Sequence, residues 1–218
     1  MIPDIYPQER PQAILFDWDN TLVDSWRTIL DSINIAKTTM DMAPMTAEEF
    51  WAIPHHSVKN AARELFGKNW QEAEEIYYKS IRENHLEGLS LLDGAAELLD
   101  HLTHQSDIYV AVVSNKHGEI LRRESTHLGW DHHFGSIIGS RDTDEDKPSP
   151  IPVHEALKPA HLKAGHHVWF IGDSVVDVEC ARNSGCVPVV VGHAEASNQN
   201  DIVHAKTCQG IKDLLGIL

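Results

Sequence analysis

Cysteine is scarce in this chain of 218 residues: Cys180, Cys186 and Cys208 are an odd set without CxxC spacing. That fits reduced thiols serving as packing residues better than a disulfide framework. Positive charge is scarce as well. Lys and Arg number 18 against 33 Asp and Glu, a formal net charge of -15, so most of the surface repels nucleic acid and anionic membranes. Long hydrophobic runs are absent, and the opening MIPDIYPQERPQAILF has no basic segment leading into an apolar one. The expectation is a soluble cytoplasmic protein, monomer or homodimer, with neither nucleic acid nor membrane as partner. Histidine is abundant at 15, including the pairs His55-His56, His132-His133 and His166-His167, yet no HExxH or comparable zinc pattern occurs. Solvated or capping roles are expected for them. No internal repeat or low-complexity tract is visible.

With 42% hydrophobic residues the chain can build a sizeable core. Val- and Ile-rich runs stand at 13–16 (AILF), 108–113 (IYVAVV), 168–171 (VWFI) and 187–191 (VPVVV), with SIIG at 136–139 as a weaker fifth, and helical periodicity follows them. Continuous apolar runs suit strands covered on both faces, so the alternation predicts an α/β fold with a doubly wound parallel sheet. Residues 25–90 interrupt it with helical signals alone, in TAEEFWAI, SVKNAARELFG and NWQEAEEIYYKSIREN, punctuated by Pro44, Pro54 and Gly67. The predicted organisation is a core of 1–24 with 91–218 and a small helical domain inserted over 25–90, flanked by hinge segments DSWRT and LEGLSLLDG.

Ligands of such a sheet bind beyond the carboxyl ends of its strands, so the residues following each strand carry the chemistry. Asp17-Trp18-Asp19-Asn20-Thr21 follows the first, Ser114-Asn115-Lys116 the second, and Gly172-Asp173-Ser174 with Asp177 a later one, while Lys147-Pro148 precedes the helix near 150. Converging carboxylates repel unless a cation or proton neutralises them, and an all-oxygen set points to magnesium rather than zinc. Asp17 and Asp19 reach one site only if the chain turns between them, and Asn20 tolerates the left-handed backbone such a turn needs.

These segments (DWDNTLVDS at 17–25, SNK at 114–116, KPSP at 147–150, GDSVVD at 172–177) resemble, in order, the four motifs of the haloacid dehalogenase superfamily, in its branch with a helical cap. Asn20 stands where the family most often has Gly. The resemblance implies a Rossmann-like core and a phosphatase of a small phosphorylated metabolite, similar to phosphoglycolate phosphatases. It implies Asp17 as nucleophile and Asp19 as acid and base, with magnesium held by the side chains of Asp17 and Asp173 and the main-chain carbonyl of Asp19. Asp177 is expected to orient a metal-bound water, and Thr21, Ser114, Asn115 and Lys147 to hold the phosphoryl oxygens. Cap specificity is expected near Trp51, His55, His56 and Lys59.

Plainer roles stand beside these. Thr21–Asp24 and Ser174–Asp177 both have capping-box spacing, so Asp24 is expected to cap a helix, and Asp177 to cap and to serve the metal. A phosphosugar mutase like the β-phosphoglucomutases shares the motifs and differs in the cap. A dehalogenase would have no use for Asp19, and a phosphonate hydrolase would need a Schiff-base lysine for which Lys59 is the nearest candidate. A phospho-accepting receiver or a catalytically retired binding protein is the alternative outside enzymology.

Overall fold

The computed structural model describes residues 10–52, 58–104, 107–192 and 202–217. The chain divides into two compact units, Met1–Val23 with Leu91–Leu218, and Asp24–Ser90. In the larger unit six parallel strands form one sheet: β1 (Ala13–Phe16), β4 (Tyr109–His117), β5 (Ser136–Ser140), β6 (Val168–Gly172), β7 (Val187–Val191) and β8 (Val203–Ala205). Their order is β5-β4-β1-β6-β7-β8, so the chain winds outward from β1 in both directions. All residues of β1 and β6 are buried, which is why both read as unbroken apolar runs. Ala13–Phe16 pairs with Tyr109–Val112 on one side and Val168–Ile171 on the other. That register brings the residues after Phe16, Val113 and Ile171 to one edge, at the switch point of the winding where α/β sheets bind ligands.

Helices α6 (Gly118–Leu128) and α7 (Ile151–Leu157) pack on β4 and β5, α8 (Val175–Ser184) on β6 and β7, and α9 (Cys208–Ile217) on β8 and on α5 (Ala95–Thr103). Leu15, Val113, Val153, Leu157, Phe170, Cys180 and Cys186 belong to one buried cluster. All three cysteines are free and buried, and burial pushes the Cys180 thiol up to about 12 and the other two to about 11. They are inert packing groups. Leu15→Ala should therefore cost about 2–5 kcal/mol by urea denaturation, since a fully buried central strand cannot collapse around the void.

The smaller unit is helical: α1 (Trp26–Thr39), α2 (Ala47–Trp51), α3 (Val58–Phe66) and α4 (Trp70–Asn84). Leu30, Met45 and Phe50 form its core with Trp26, Ile29, Ile33 and Leu65. The Ser32 and Ser80 hydroxyls hydrogen-bond at 3.0 Å between α1 and α4. Thr46 and Glu49 close a capping box on α2, and Gly67, at φ +54, supplies the left-handed turn between α3 and α4. Two short strands, β2 (Val23–Asp24) and β3 (Ser90–Leu91), pair with each other where the chain passes between the units.

Three sequence expectations need correction. DSWRT is not a hinge strand beyond Asp24: Ser25 is the N-cap residue and Trp26 opens α1. Asp24 caps no helix, because Thr21–Asp24 forms a turn and the short β2 instead. The histidines are only partly solvated or capping. His117 does cap α6 by accepting the Glu119 N–H at 3.3 Å, and the buried His85 is the C-cap residue of α4, but the His133 side chain is 4% exposed and packs its ring against Trp130 and Phe134.

Candidate active site

Asp17 follows β1 directly and donates its backbone N–H to the Ile171 carbonyl at 2.8 Å, so the strand ladder itself fixes where the carboxylate leaves the sheet. The chain then turns sharply. The Trp18 carbonyl accepts N–H bonds from Thr21, Leu22 and Val23 at 3.0–3.3 Å, and Asn20 sits at φ 59, the left-handed conformation its side chain tolerates. The turn keeps Asp19 near the strand end instead of on the opposite face.

On the neighbouring strand, Asp173 follows Gly172, and Asp177 stands in the first turn of α8. Oxygens of Asp17, Asp173 and Asp177 lie within 4.8 Å of one another. Gly172 makes this approach possible, since a Cβ there would lie 2.3 Å from the Asp177 carboxyl carbon. Lys147 enters between them: its ammonium donates to Asp17 Oδ1 at 2.6 Å and to Asp177 Oδ1 at 2.7 Å, and is almost wholly buried. Asp177 Oδ2 accepts from the Ser174 N–H at 3.0 Å and hydroxyl at 2.6 Å. One carboxylate thus closes the start of α8 and joins the cluster.

The electrostatics show a site short of positive charge. Burial pushes the Asp17 carboxyl up to about 6 against the pull of Lys147, with Asp177 and Asp19 adding to the rise. Asp173 is raised well above the usual carboxylate range, first by burial and then by Asp177 and Asp17. Burial opposes the charge on Lys147, but Asp17 and Asp177 outweigh it and hold its pKa above the ordinary lysine value. With all three ionised, the carboxylates facing one ammonium leave two surplus negative charges, which is the charge of one divalent cation. The donors are all oxygens, so the set fits a hard ion such as magnesium.

The remaining predicted residues take several positions. The Thr21 hydroxyl is buried without a hydrogen-bond partner, a polar group that a ligand oxygen could satisfy. Ser114 is buried within the second half of β4, its hydroxyl accepting the Lys116 N–H at 3.2 Å. The Asn115 side chain is engaged elsewhere: its amide donates to the Lys147 carbonyl at 3.1 Å and its oxygen accepts the Lys147 N–H at 2.9 Å. Asn115 therefore clamps the segment that carries the lysine. Trp51, in the helical unit, is 47% exposed and lies with its ring against Trp26 and Phe50. His55 and His56 fall outside the described residues, as does the side chain of Lys59 on α3.

Sequence reasoning missed a second buried cation. Lys116 donates to Asp19 Oδ1 at 2.6 Å and pairs with Glu124 at 2.9 Å. Those two acids outweigh the burial that opposes its charge and raise its pKa. Glu124 in turn accepts the Trp18 indole N–H at 2.7 Å. A signal existed: on α6 an acid falls in the buried stripe with Ile120 and Leu121, where helical periodicity calls for an apolar residue.

The family model described as haloacid dehalogenase-like hydrolase matches residues 14–191. A phosphoglycolate phosphatase of Chromobacterium violaceum is 24% identical over 194 residues, covering 85% of this chain and 86% of its own. The tyrosine-protein kinase PtkA of Mycobacterium tuberculosis is 28% identical over 222 residues, 97% of this chain and 75% of its own. Among solved structures, a HAD-superfamily hydrolase from Ehrlichia chaffeensis is 36% identical with a TM-score of 0.67, covering 96% of this chain and 98% of its own.

Proposed function

The chain belongs to the haloacid dehalogenase-like hydrolases, and from that premise we propose that it is a magnesium-dependent phosphatase of a small phosphorylated metabolite, working through an aspartyl phosphate on Asp17. The observation that carries this reading is the cluster of Asp17, Asp173 and Asp177 around Lys147, with two negative charges in surplus at the switch point of the sheet. Asp17 is the nucleophile: it leaves the end of the central strand, and at pH 7 a carboxyl with a pKa near 6 is largely ionised. Asp19 gives a proton to the departing oxygen and takes one from the water that later hydrolyses the acyl phosphate. The two half-reactions balance: the ester P–O bond breaks as the Asp17 O–P bond forms, then water replaces Asp17 on phosphorus.

Magnesium would be held by the carboxylates of Asp17 and Asp173 and the Asp19 carbonyl, with Asp177 supporting its water, and would supply positive charge opposite the phosphoryl oxygens. Lys147, Thr21 and Ser114 hold those oxygens, and Asn115 keeps Lys147 in place. The helical unit acts as the cap, and the stretch bearing Trp51, His55, His56 and Lys59 selects the substrate. A cytoplasmic setting agrees with three unpaired thiols. No helix of the described residues is long and apolar enough to cross a membrane.

The test is a panel of phosphorylated metabolites with 2-phosphoglycolate and p-nitrophenyl phosphate included. Multiple turnovers with magnesium, lost to background on chelation and regained on adding magnesium back, are expected, with 2-phosphoglycolate among the best substrates. No turnover of any phosphomonoester, or stoichiometric phosphorylation that stops after one event, would overturn the reading.

A further inference from the structure

Asp19 needs an orientation as well as a place. It follows a tight turn whose Asn20 is left-handed, and its side chain is partly open to solvent at 19% exposure, so the backbone alone leaves its carboxylate free to rotate about χ1 and χ2. A chain of buried side chains removes that freedom. Trp18 is fully buried and wedged edge-on against Trp130 and Phe134, with ring centroids 5.8 and 6.2 Å away. Its indole N–H is thereby fixed and reaches Glu124, which is 1% exposed, at 2.7 Å. Glu124 meets Lys116 at 2.9 Å, and Lys116 meets Asp19 Oδ1 at 2.6 Å. A buried glutamate on the apolar stripe of α6 contributes nothing to packing that Leu or Met would not supply better, so its retention asks for another reason.

We propose that Lys116 and Glu124, anchored by Trp18, are positioning residues that aim the Asp19 carboxylate at the leaving-group oxygen. This rests on the role of Asp19 as acid and base given above. The geometry divides the labour of the two buried lysines: Lys147 is bound to the nucleophile's side of the site, and Lys116 to the proton donor's side. Trp18 lies between the two aspartates in sequence, so the same residue whose carbonyl closes the turn also anchors the clamp through its indole.

A residue that acts through the proton donor matters in proportion to how much the leaving group needs a proton. A general acid contributes about 10²–10⁴-fold when the leaving group is poor and little when it departs as a stable anion. The experiment compares kcat/KM, which reports transfer to Asp17, for 2-phosphoglycolate or the best alkyl phosphate of the panel and for p-nitrophenyl phosphate. Lys116→Met should lower the alkyl value by about 10- to 100-fold and the aryl value by no more than about 3-fold. Glu124→Gln, which keeps an acceptor for the Trp18 N–H, should show the same substrate bias at smaller amplitude. In an Asp19→Asn background Lys116→Met should add almost nothing.

Equal losses on both substrates, or multiplicative losses in the double variant, would overturn the clamp. Should Lys116→Met fail to fold, as read by circular dichroism, Lys116→Gln and Glu124→Gln carry the same comparison. Asp19→Asn alone separates the two readings. If it shows no leaving-group bias, the acid role of Asp19 falls; if it does and the Lys116 variants do not, the acid stands and the clamp falls.

Discussion

Asp17→Asn should abolish turnover, by about 10⁴-fold or more in kcat, while the protein remains folded. An amide cannot form the acyl phosphate, and no neighbouring group stands in for it: Asp173 and Asp177 belong to the same charged cluster, and Asp177 is held by Lys147 and Ser174. The amide oxygen can still accept from Lys147, so the local framework survives. Stability makes the prediction sharper. A carboxyl raised from 3.8 to about 6 holds its proton more tightly in the folded than in the unfolded chain. Its contribution is fully present below about pH 4 and is lost as pH rises through about 6. At pH 7.5 the ionised group then weighs against the metal-free fold by on the order of 3 kcal/mol, with the attraction to Lys147 already included. Asp17→Asn in chelator at pH 7.5 should melt no lower than the parent protein, although it is inactive. Retained activity above a few per cent would mean that another residue is the nucleophile. A large drop in melting temperature would mean that Asp17 is structural.

How much of this was legible depends on how local the causes are. The strands β1 and β4–β7 were visible because buried parallel strands leave unbroken Val, Ile and Phe runs. β8 was not, since Val203–Ala205 is three residues with exposed His204 in the middle, too short for any period to register. The start of α1 reads as hinge because it flanks the inserted segment, although Trp26, Ile29, Leu30 and Ile33 have helical spacing. Asp17, Asp19 and Asp173 could be picked out because each sits just past an apolar run. Contacts between distant segments had no such marker. The Lys116–Asp19 pair spans 97 positions and Lys147–Asp17 spans 130, and nothing in either neighbourhood states the partner. The role of Asn115 was hidden for the same reason, as its hydrogen bonds to Lys147 cross 32 residues.

The second large effect is expected at Lys147. Lys147→Met keeps most of the side-chain volume and removes the only cation bound to the Asp17–Asp177 pair among the described residues, leaving the buried Asp17 and Asp177 and the half-buried Asp173 without it. Breaking a buried pair by deleting one partner costs about 3–5 kcal/mol, because the remaining charge stays desolvated. In chelator at pH 7.5 that loss should be visible in full by denaturant titration. It should shrink toward pH 5, because Asp17 and Asp173 already have raised pKa values and the variant raises them further, so both take up protons and the repulsion fades. Magnesium should act in the opposite pH sense, since it binds only deprotonated carboxylates: its stabilising effect grows from pH 5 to 7.5 and should restore part of what the variant lost. Activity should fall by about 10²–10³-fold even at saturating magnesium, because the ammonium that faces the phosphoryl oxygens is gone. A variant as stable as the parent in chelator at pH 7.5 would show that the lysine does not balance the cluster. A destabilisation that is the same at pH 5 and pH 7.5 would assign the loss to packing against Phe170, whose ring lies 5.7 Å from the ammonium, rather than to charge.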